Sequence, residues 1–288
     1  MSETPFPEPK TLKERKSIIA SAAEGTRTVQ NEEIDGKKYH WEETPLLTHI
    51  RNREQLTTSD KIFGTFDATF RDVIPEEYSD IKQYIESVLA PKKGQAIGIE
   101  LRGTASRLFG EFSPGFFQRT LGVNLTDYRD RIDPLLEAQD VSRNHHVLVG
   151  NIVSDETKMK VQEEFLHGQK ADIIFERMIA GHSNLPKEPD FLGKQIGFWY
   201  EHLSENGVMF LTPPTALWDF IPGWLDIINT QYTDQIEAQY SDDTTEVLRI
   251  RKLPGAPEHL PLIDNRNLLR EKKSQVLTRR NNTIDAKK

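Results

Sequence analysis

Glu100 and Gly103 stand where an apolar run gives way to a helix-like pattern, in the segment AIGIELRGTASRLFGEF that begins at Ala96. A strand that ends at Glu100 and turns through Gly103 would place a carboxylate and open backbone amides at the carboxyl edge of a sheet. Ligands of doubly wound sheets bind at that edge. The two residues therefore predict a ligand site, and its chemistry depends on which ligand accepts a carboxylate.

Three ligand chemistries use such a turn. A phosphate loop needs a lysine, and the residues from Gly98 to Thr104 spell G-x-x-x-x-G-T without one. A dinucleotide loop needs three glycines, but only Gly103 lies in the turn, and Glu100 would repel a pyrophosphate. S-adenosylmethionine carries a cationic amino group and a cationic sulfonium, which Glu100 would attract. Charge therefore favours the third ligand.

Polar residues also close the later predicted strands. Asn124 ends the second, Asn151 follows the third and Glu176 follows the fourth, with His182 in the loop beyond. Because parallel strands end at one edge, we expect Glu100, Asn124 and Asn151 to converge there. Each residue type also has an ordinary structural role: asparagine occurs in turns, glutamate in ion pairs, and histidine in solvated loops.

Short apolar runs alternate with helix-like segments, which predicts a doubly wound α/β fold with a mostly parallel sheet. Two further runs, Gln235–Tyr240 and Val247–Lys252, lack a helix between them and predict a hairpin, so the sheet should finish with an antiparallel strand. A helix beginning near Pro75 is expected to pack on the domain that follows. An irregular helix is also predicted at Arg107–Phe117, and a long helix is predicted at Leu192–Glu205.

Residues 96 to 252 resemble a class I S-adenosylmethionine-dependent methyltransferase in the order of seven strands, in the glycine-loop segment and in the terminal hairpin. The acidic-x-Gly-x-Gly-x-Gly loop of that family aligns with the residues from Glu100 to Ser106. The acidic position is kept, but the three glycine positions carry other residues, and Gly103 is offset by one. Arg102, at the first of them, would either obstruct the methionine end of the cofactor or pair with its carboxylate.

The resemblance implies a role for each polar residue. Asn124 matches the acidic residue that holds the ribose hydroxyls, and Asn151 with Ile152 matches the position that binds adenine. Glu176 lies where the chemistry of the family often begins, so Glu176 or His182 is expected nearest the methyl acceptor. The implied cofactor is S-adenosylmethionine, and the implied function is methyl transfer to an undetermined acceptor, expected to be a small molecule.

The altered glycine loop leaves a second function class open, a catalytically inactive methyltransferase-fold protein that binds another ligand or a protein partner. Nucleic acid is a third possibility. The chain has 45 acidic and 37 basic side chains, a formal charge of −8. Residues 265–288 carry eight Lys or Arg and two acidic residues, so this tail is +6 and residues 1–264 are −14. Such a balance disfavours a nucleic-acid-binding surface except through the tail.

The sequence also predicts where the protein is located and how the chain divides into domains. The absence of cysteine excludes disulfides and thiolate metal sites, and the adjacent His145 and His146 would face opposite sides of a strand, so no metal site is predicted. A polar N-terminus and the lack of any apolar run near 20 residues favour a soluble, cytoplasmic protein. The predicted divisions are a flexible segment (1–35), an N-terminal extension or cover (36–92), the methyltransferase-like domain (93–256) and a basic tail (257–288).

Overall fold

The computed structural model describes residues 28–34, 37–43, 67, 69–101, 103, 106–124, 127, 136–176, 189–213, 217–242 and 246–263. Strands β1 (Thr28–Ile34) and β2 (Lys37–Glu43) form an antiparallel pair of their own. The other strands form one sheet: β3 (Ala96–Leu101), β4 (Phe117–Asn124), β5 (His145–Val149), β6 (Ala171–Glu176), β7 (Leu203–Leu211), β8 (Ile236–Ser241) and β9 (Val247–Lys252).

The order of the seven strands is β5-β4-β3-β6-β7-β9-β8. Strand β9 is antiparallel to both of its neighbours, and the other pairs are parallel. The predicted doubly wound sheet and its C-terminal hairpin are confirmed. The reversed strand is β9, which lies between β7 and β8. Strand β8 runs in the same direction as β7 and is the last strand at this side of the sheet.

Among the described residues, six α-helices accompany the sheet: α1 (Ile81–Val88), α2 (Ser106–Gly110), α3 (Leu136–Ser142), α4 (Asp155–Lys160), α5 (Pro189–Glu201) and α6 (Ile221–Gln231). Helix α4 continues directly as a π-helical turn, Val161–Leu166. Residues on the π-helical turn, α5 and α6 share a buried cluster with one face of the sheet, and residues on α1 and α2 share a second cluster with the other face.

The central strands are apolar on both faces because both faces are covered. Along β6, Ile174 belongs to the cluster with the π-helical turn, α5 and α6, while Ile173 and Phe175 belong to the cluster with α1 and α2. Helix α2 can approach β3 closely because residue 98 is glycine: a Cβ there would lie 2.6 Å from the ring of Phe109. The close packing of α2 on the sheet therefore depends on Gly98.

Two helix predictions need correction. The irregular helix predicted at Arg107–Phe117 ends at Gly110, and Phe117 already begins β4. The helix predicted to run to Glu205 ends at Glu201, and β7 begins at Leu203. The Asn206-Gly207 pair, which resembles a helix C-cap, instead accompanies a register irregularity between β6 and β7, where Asn206 adopts a φ of 63°.

Helix α1 packs on the domain that follows, as predicted: Ile81, Tyr84 and Ile85 are buried in one cluster with Phe175 and Phe210 of the sheet. Residues on both sides of residue 92 therefore share one buried cluster. The division at residue 35 falls outside the described residues, between β1 and β2. None of the helices in the described ranges combines the length and the hydrophobicity needed to cross a membrane.

Candidate functional site

The carboxyl edge of the sheet brings together the ends of β4, β3 and β6. Leu101 on β3 pairs in register with Val123 on β4 and with Glu176 on β6. From β3 the chain moves outward through β4 to β5 and then returns to place β6 on the other side of β3. The strand order thus reverses between Leu101 and Glu176, which is where doubly wound sheets bind ligands.

Glu100 folds back onto the turn that follows it. A Cβ added at Gly103 would overlap the carboxyl carbon and both carboxylate oxygens of Glu100. Gly103 is buried and Glu100 is partly exposed. Residue 103 must therefore be glycine for the carboxylate to occupy this position, which explains the offset glycine of the sequence in steric terms.

Alternation divides the predicted residues between the two faces of the sheet. Glu100 pairs with Gly122, so Asn124, two residues further along β4, lies on the face of Glu100. Glu176 pairs with Leu101 and lies on the opposite face, and its backbone oxygen accepts a hydrogen bond from Thr212 N at 3.1 Å. Asn124 is 3% exposed. At the carboxyl edge, Glu100 and Asn124 therefore lie on one face of the sheet, and Glu176 lies on the other face.

Asn151 lies in a tight turn after β5, next to the end of β4. Gly150 N donates to Asn124 O at 2.9 Å, which joins the two strand ends. The Asn151 side-chain oxygen accepts from Val153 N at 3.3 Å, and Asn151 is 8% and Ile152 5% exposed. The structure thus brings Glu100, Asn124 and Asn151 to three neighbouring strand ends.

Two predicted site residues, Arg102 and His182, lie outside the described residues. The adjacent histidines on β5 do face opposite sides, with His145 buried and His146 exposed. Within the described ranges, no group of three or more His, Asp or Glu side chains could hold a metal ion.

Sequence reasoning missed Ser154 and Thr157, which support the turn at Asn151. Ser154 caps α4: its Oγ accepts from Thr157 N at 3.3 Å and lies 3.0 Å from Asn151 O. The signal was present as a serine directly before Asp155 and Glu156, a pattern typical of a helix start.

Negative charge continues along this edge beyond Glu176. Strand β8 ends at the same edge because it runs parallel to β7. There the pKa of Tyr240 is raised to about 12, first by burial and then by the nearby carboxylates of Glu246, Asp242 and Asp219. These acidic groups favour cationic or neutral ligands over anionic ones.

Known structures that are similar to this chain include methyltransferases. An rRNA methylase from Streptococcus thermophilus is 9% identical, with a TM-score of 0.39, over 60% of this chain and 96% of that one. The N-methyltransferase NodS from Bradyrhizobium japonicum is 13% identical, with a TM-score of 0.35, over 59% of this chain and 93% of that one. An O-methyltransferase family protein from Burkholderia thailandensis is 12% identical, with a TM-score of 0.36, over 60% of this chain and 56% of that one.

No protein-family model matches the sequence, and no curated protein matches it either. The fold assignment therefore depends on the strand order itself. A sheet ordered β5-β4-β3-β6-β7-β9-β8, with only β9 reversed, has the expected arrangement of parallel strands and terminal hairpin. The domain accordingly has a class I methyltransferase-like fold.

Proposed function

We propose that this protein is an S-adenosylmethionine-dependent methyltransferase with a small-molecule acceptor. One observation carries the proposal: the carboxylate of Glu100 is held against Gly103 at the edge where the strand order reverses. A carboxylate in this position attracts a cationic ligand and repels phosphates. The fold supports the same class of activity, since its terminal hairpin is the one expected for methyltransferases.

The residues present fit this cofactor in charge and in hydrogen-bonding capacity. Glu100 would attract the cationic part of the cofactor, and Asn124 would hydrogen-bond the ribose hydroxyls. The Asn151 side-chain oxygen would accept from the adenine amino group, and the Ile152 backbone would lie beside the ring. Asn124 is a weaker partner for a diol than the usual carboxylate. We expect cofactor affinity to depend mainly on Glu100 for this reason.

The cofactor supplies an activated methyl group, so the protein mainly has to align the acceptor and exclude water. A base is needed only where the acceptor must lose a proton. Glu176 lies across the strand reversal from Glu100, on the opposite face of the sheet. We propose that Glu176 or His182 lies nearest the acceptor and takes that proton.

Charge supports a small acceptor over a nucleic acid. Residues 1–264 carry a net charge of −14, and acidic side chains surround Tyr240 at the carboxyl edge. A polyanionic backbone would be repelled from this edge. The tail at residues 265–288 carries an excess of positive charge.

Isothermal titration calorimetry with S-adenosylmethionine tests the proposal. The wild-type protein should bind the cofactor, and Glu100→Gln, which keeps the shape but removes the charge, should weaken binding about 10-fold or more. Glu163→Gln is the matched control because Glu163 is exposed on the π-helical turn. A folded wild-type protein that gives no heat at high cofactor concentration would instead support the catalytically inactive binding protein.

A further inference from the structure

The hydroxyl group of Ser154 joins the turn that follows β5 to helix α4. Ser154 Oγ lies 3.0 Å from Asn151 O and 2.9 Å from Thr157 Oγ1, and it accepts from Thr157 N at 3.3 Å. A serine hydroxyl has one proton and two acceptor lone pairs, so it donates to one of these oxygens at a time and accepts the amide bond throughout. Ser154 thus connects the backbone of Asn151 to the first turn of α4.

Thr157 holds the same turn from the other side. A Cβ at Gly150 would overlap Thr157 Oγ1 and lie 2.9 Å from its methyl carbon, so the threonine packs directly against the glycine backbone. Thr157 is 4% exposed. Gly150 in turn donates to Asn124 O at 2.9 Å, so this contact reaches the end of β4 as well.

We infer that Ser154 and Thr157 are positioning residues for cofactor binding, because they fix the Gly150–Ile152 turn without lying in it. The inference rests on the proposed function, in which Asn151 binds the adenine amino group. Ser154 acts through Asn151, whose carbonyl oxygen it contacts. Thr157 acts through Gly150 and through its hydrogen bond to Ser154.

Removal of the hydroxyl should loosen this turn without unfolding it. In Ser154→Ala, Asn151 O still accepts from the backbone N–H of residue 154 at 3.0 Å, and Asn151 Oδ1 still accepts from Val153 N. Thr157→Val keeps the shape against Gly150 but removes the second hydroxyl. Ser154→Thr keeps a capping hydroxyl and is the conservative rescue variant.

The test compares S-adenosylhomocysteine with S-inosylhomocysteine, in which a carbonyl replaces the adenine amino group. Calorimetry at 25 °C should show wild-type protein preferring the adenosyl compound. Ser154→Ala and Thr157→Val should each lose about 5- to 10-fold in affinity for it, with a matching fall in the adenosyl-to-inosyl preference. Ser154→Thr should restore most of both values.

A merely structural role would lower the melting temperature but leave the adenosyl-to-inosyl preference unchanged, and that result overturns the inference. Affinities of both hydroxyl-removing variants within two-fold of the wild type overturn it too. In both cases the wild type still binds the adenosyl compound, so the proposed function stands. A wild-type protein that binds neither compound overturns the proposed function and this inference together.

Discussion

The carboxyl group of Glu100 occupies the space that a side chain at Gly103 would need. Gly103→Ala should therefore displace the carboxylate from the strand reversal, since the new methyl group and the carboxyl group cannot share one position. We expect a loss of about 10-fold or more in affinity for S-adenosylmethionine, measured by calorimetry, because small displacements of binding groups have large effects.

Gly197→Ala is the matched control for this substitution. Gly197 lies within α5, and a Cβ there would meet nothing within 4 Å. Alanine at a helical position of this kind should leave affinity unchanged and stabilise the fold by up to about 1 kcal/mol. Equal affinities of Gly103→Ala and the wild type would show that the contact between residues 100 and 103 does not contribute to cofactor binding.

A buried carboxylate joins the amino-terminal ends of three strands. Asp172 on β6 is 3% exposed and accepts from Lys92 Nζ at 2.5 Å, from Ser204 Oγ at 2.5 Å and from Ile97 N at 2.9 Å. In Asp172→Asn, one of the two oxygens becomes an NH₂ group that faces a donor. We expect the free energy of unfolding to fall by about 2 to 3 kcal/mol, measured by urea denaturation.

The half-exposed ion pair between Lys82 and Glu86, at 3.9 Å, supplies the control for Asp172. Glu86→Gln should change the free energy of unfolding by no more than about 0.5 kcal/mol. Similar losses in Asp172→Asn and Glu86→Gln would contradict a structural role for the Asp172 cluster. Cofactor affinity should be unchanged in both variants, because Asp172 lies at the opposite edge of the sheet from Glu100.

The strands of the seven-stranded sheet, unlike β1 and β2, could be predicted from the sequence because their apolar runs are short and bounded by polar residues. The same reasoning placed Glu100, Asn124 and Asn151 at neighbouring strand ends, since parallel strands end together. The end of helix α5 at Glu201 could not be predicted from apolar runs. Asn206 adopts a positive φ inside an irregular strand, and the same residue pair would serve equally well as a helix C-cap.

Side-chain partners were the part of the site that the sequence did not reveal. The contact of Glu100 with Gly103 depends on the path of the turn, and a spacing of three residues does not specify that path. The contact of Thr157 with Gly150 depends on the angle at which α4 leaves the turn. Both are steric relationships in three dimensions, whereas hydrophobic periodicity reports only which face of an element is buried.

Deletion of residues 265–288 tests whether nucleic acid is a partner. For a small-molecule methyltransferase, the full chain and the deletion variant should bind S-adenosylmethionine equally, and RNA binding should be weak in both. If the eight basic residues of the tail instead form an electrostatic arm, the slope of log affinity against log salt for single-stranded RNA should flatten by about 4 to 6 on deletion. Filter binding at several salt concentrations measures this slope.

The buried His145 should make the folded protein less stable in mild acid. The pKa of His145 is lowered from 6.5 to about 4, first by burial and then by the neighbouring charges of Arg143 and His146. Its Nδ1 contacts Thr120 Oγ1, and its Nε2 is buried with no hydrogen-bond partner among the described residues. A protonated ring would therefore place an unpaired charge beside the Phe109 side chain of α2.

The direction of this pH dependence follows from the lowered pKa of His145. Between pH 6.5 and about 4 the unfolded chain binds a proton at His145 and the folded chain does not, so stability falls as the pH falls through this window. The loss attributable to this residue is at most about 3 kcal/mol. Urea denaturation from pH 7 to pH 4.5 should show a shallower pH dependence in His145→Gln than in the wild type. His259→Gln is the control because His259 is exposed, and equal slopes in all three proteins would contradict the role of the buried ring.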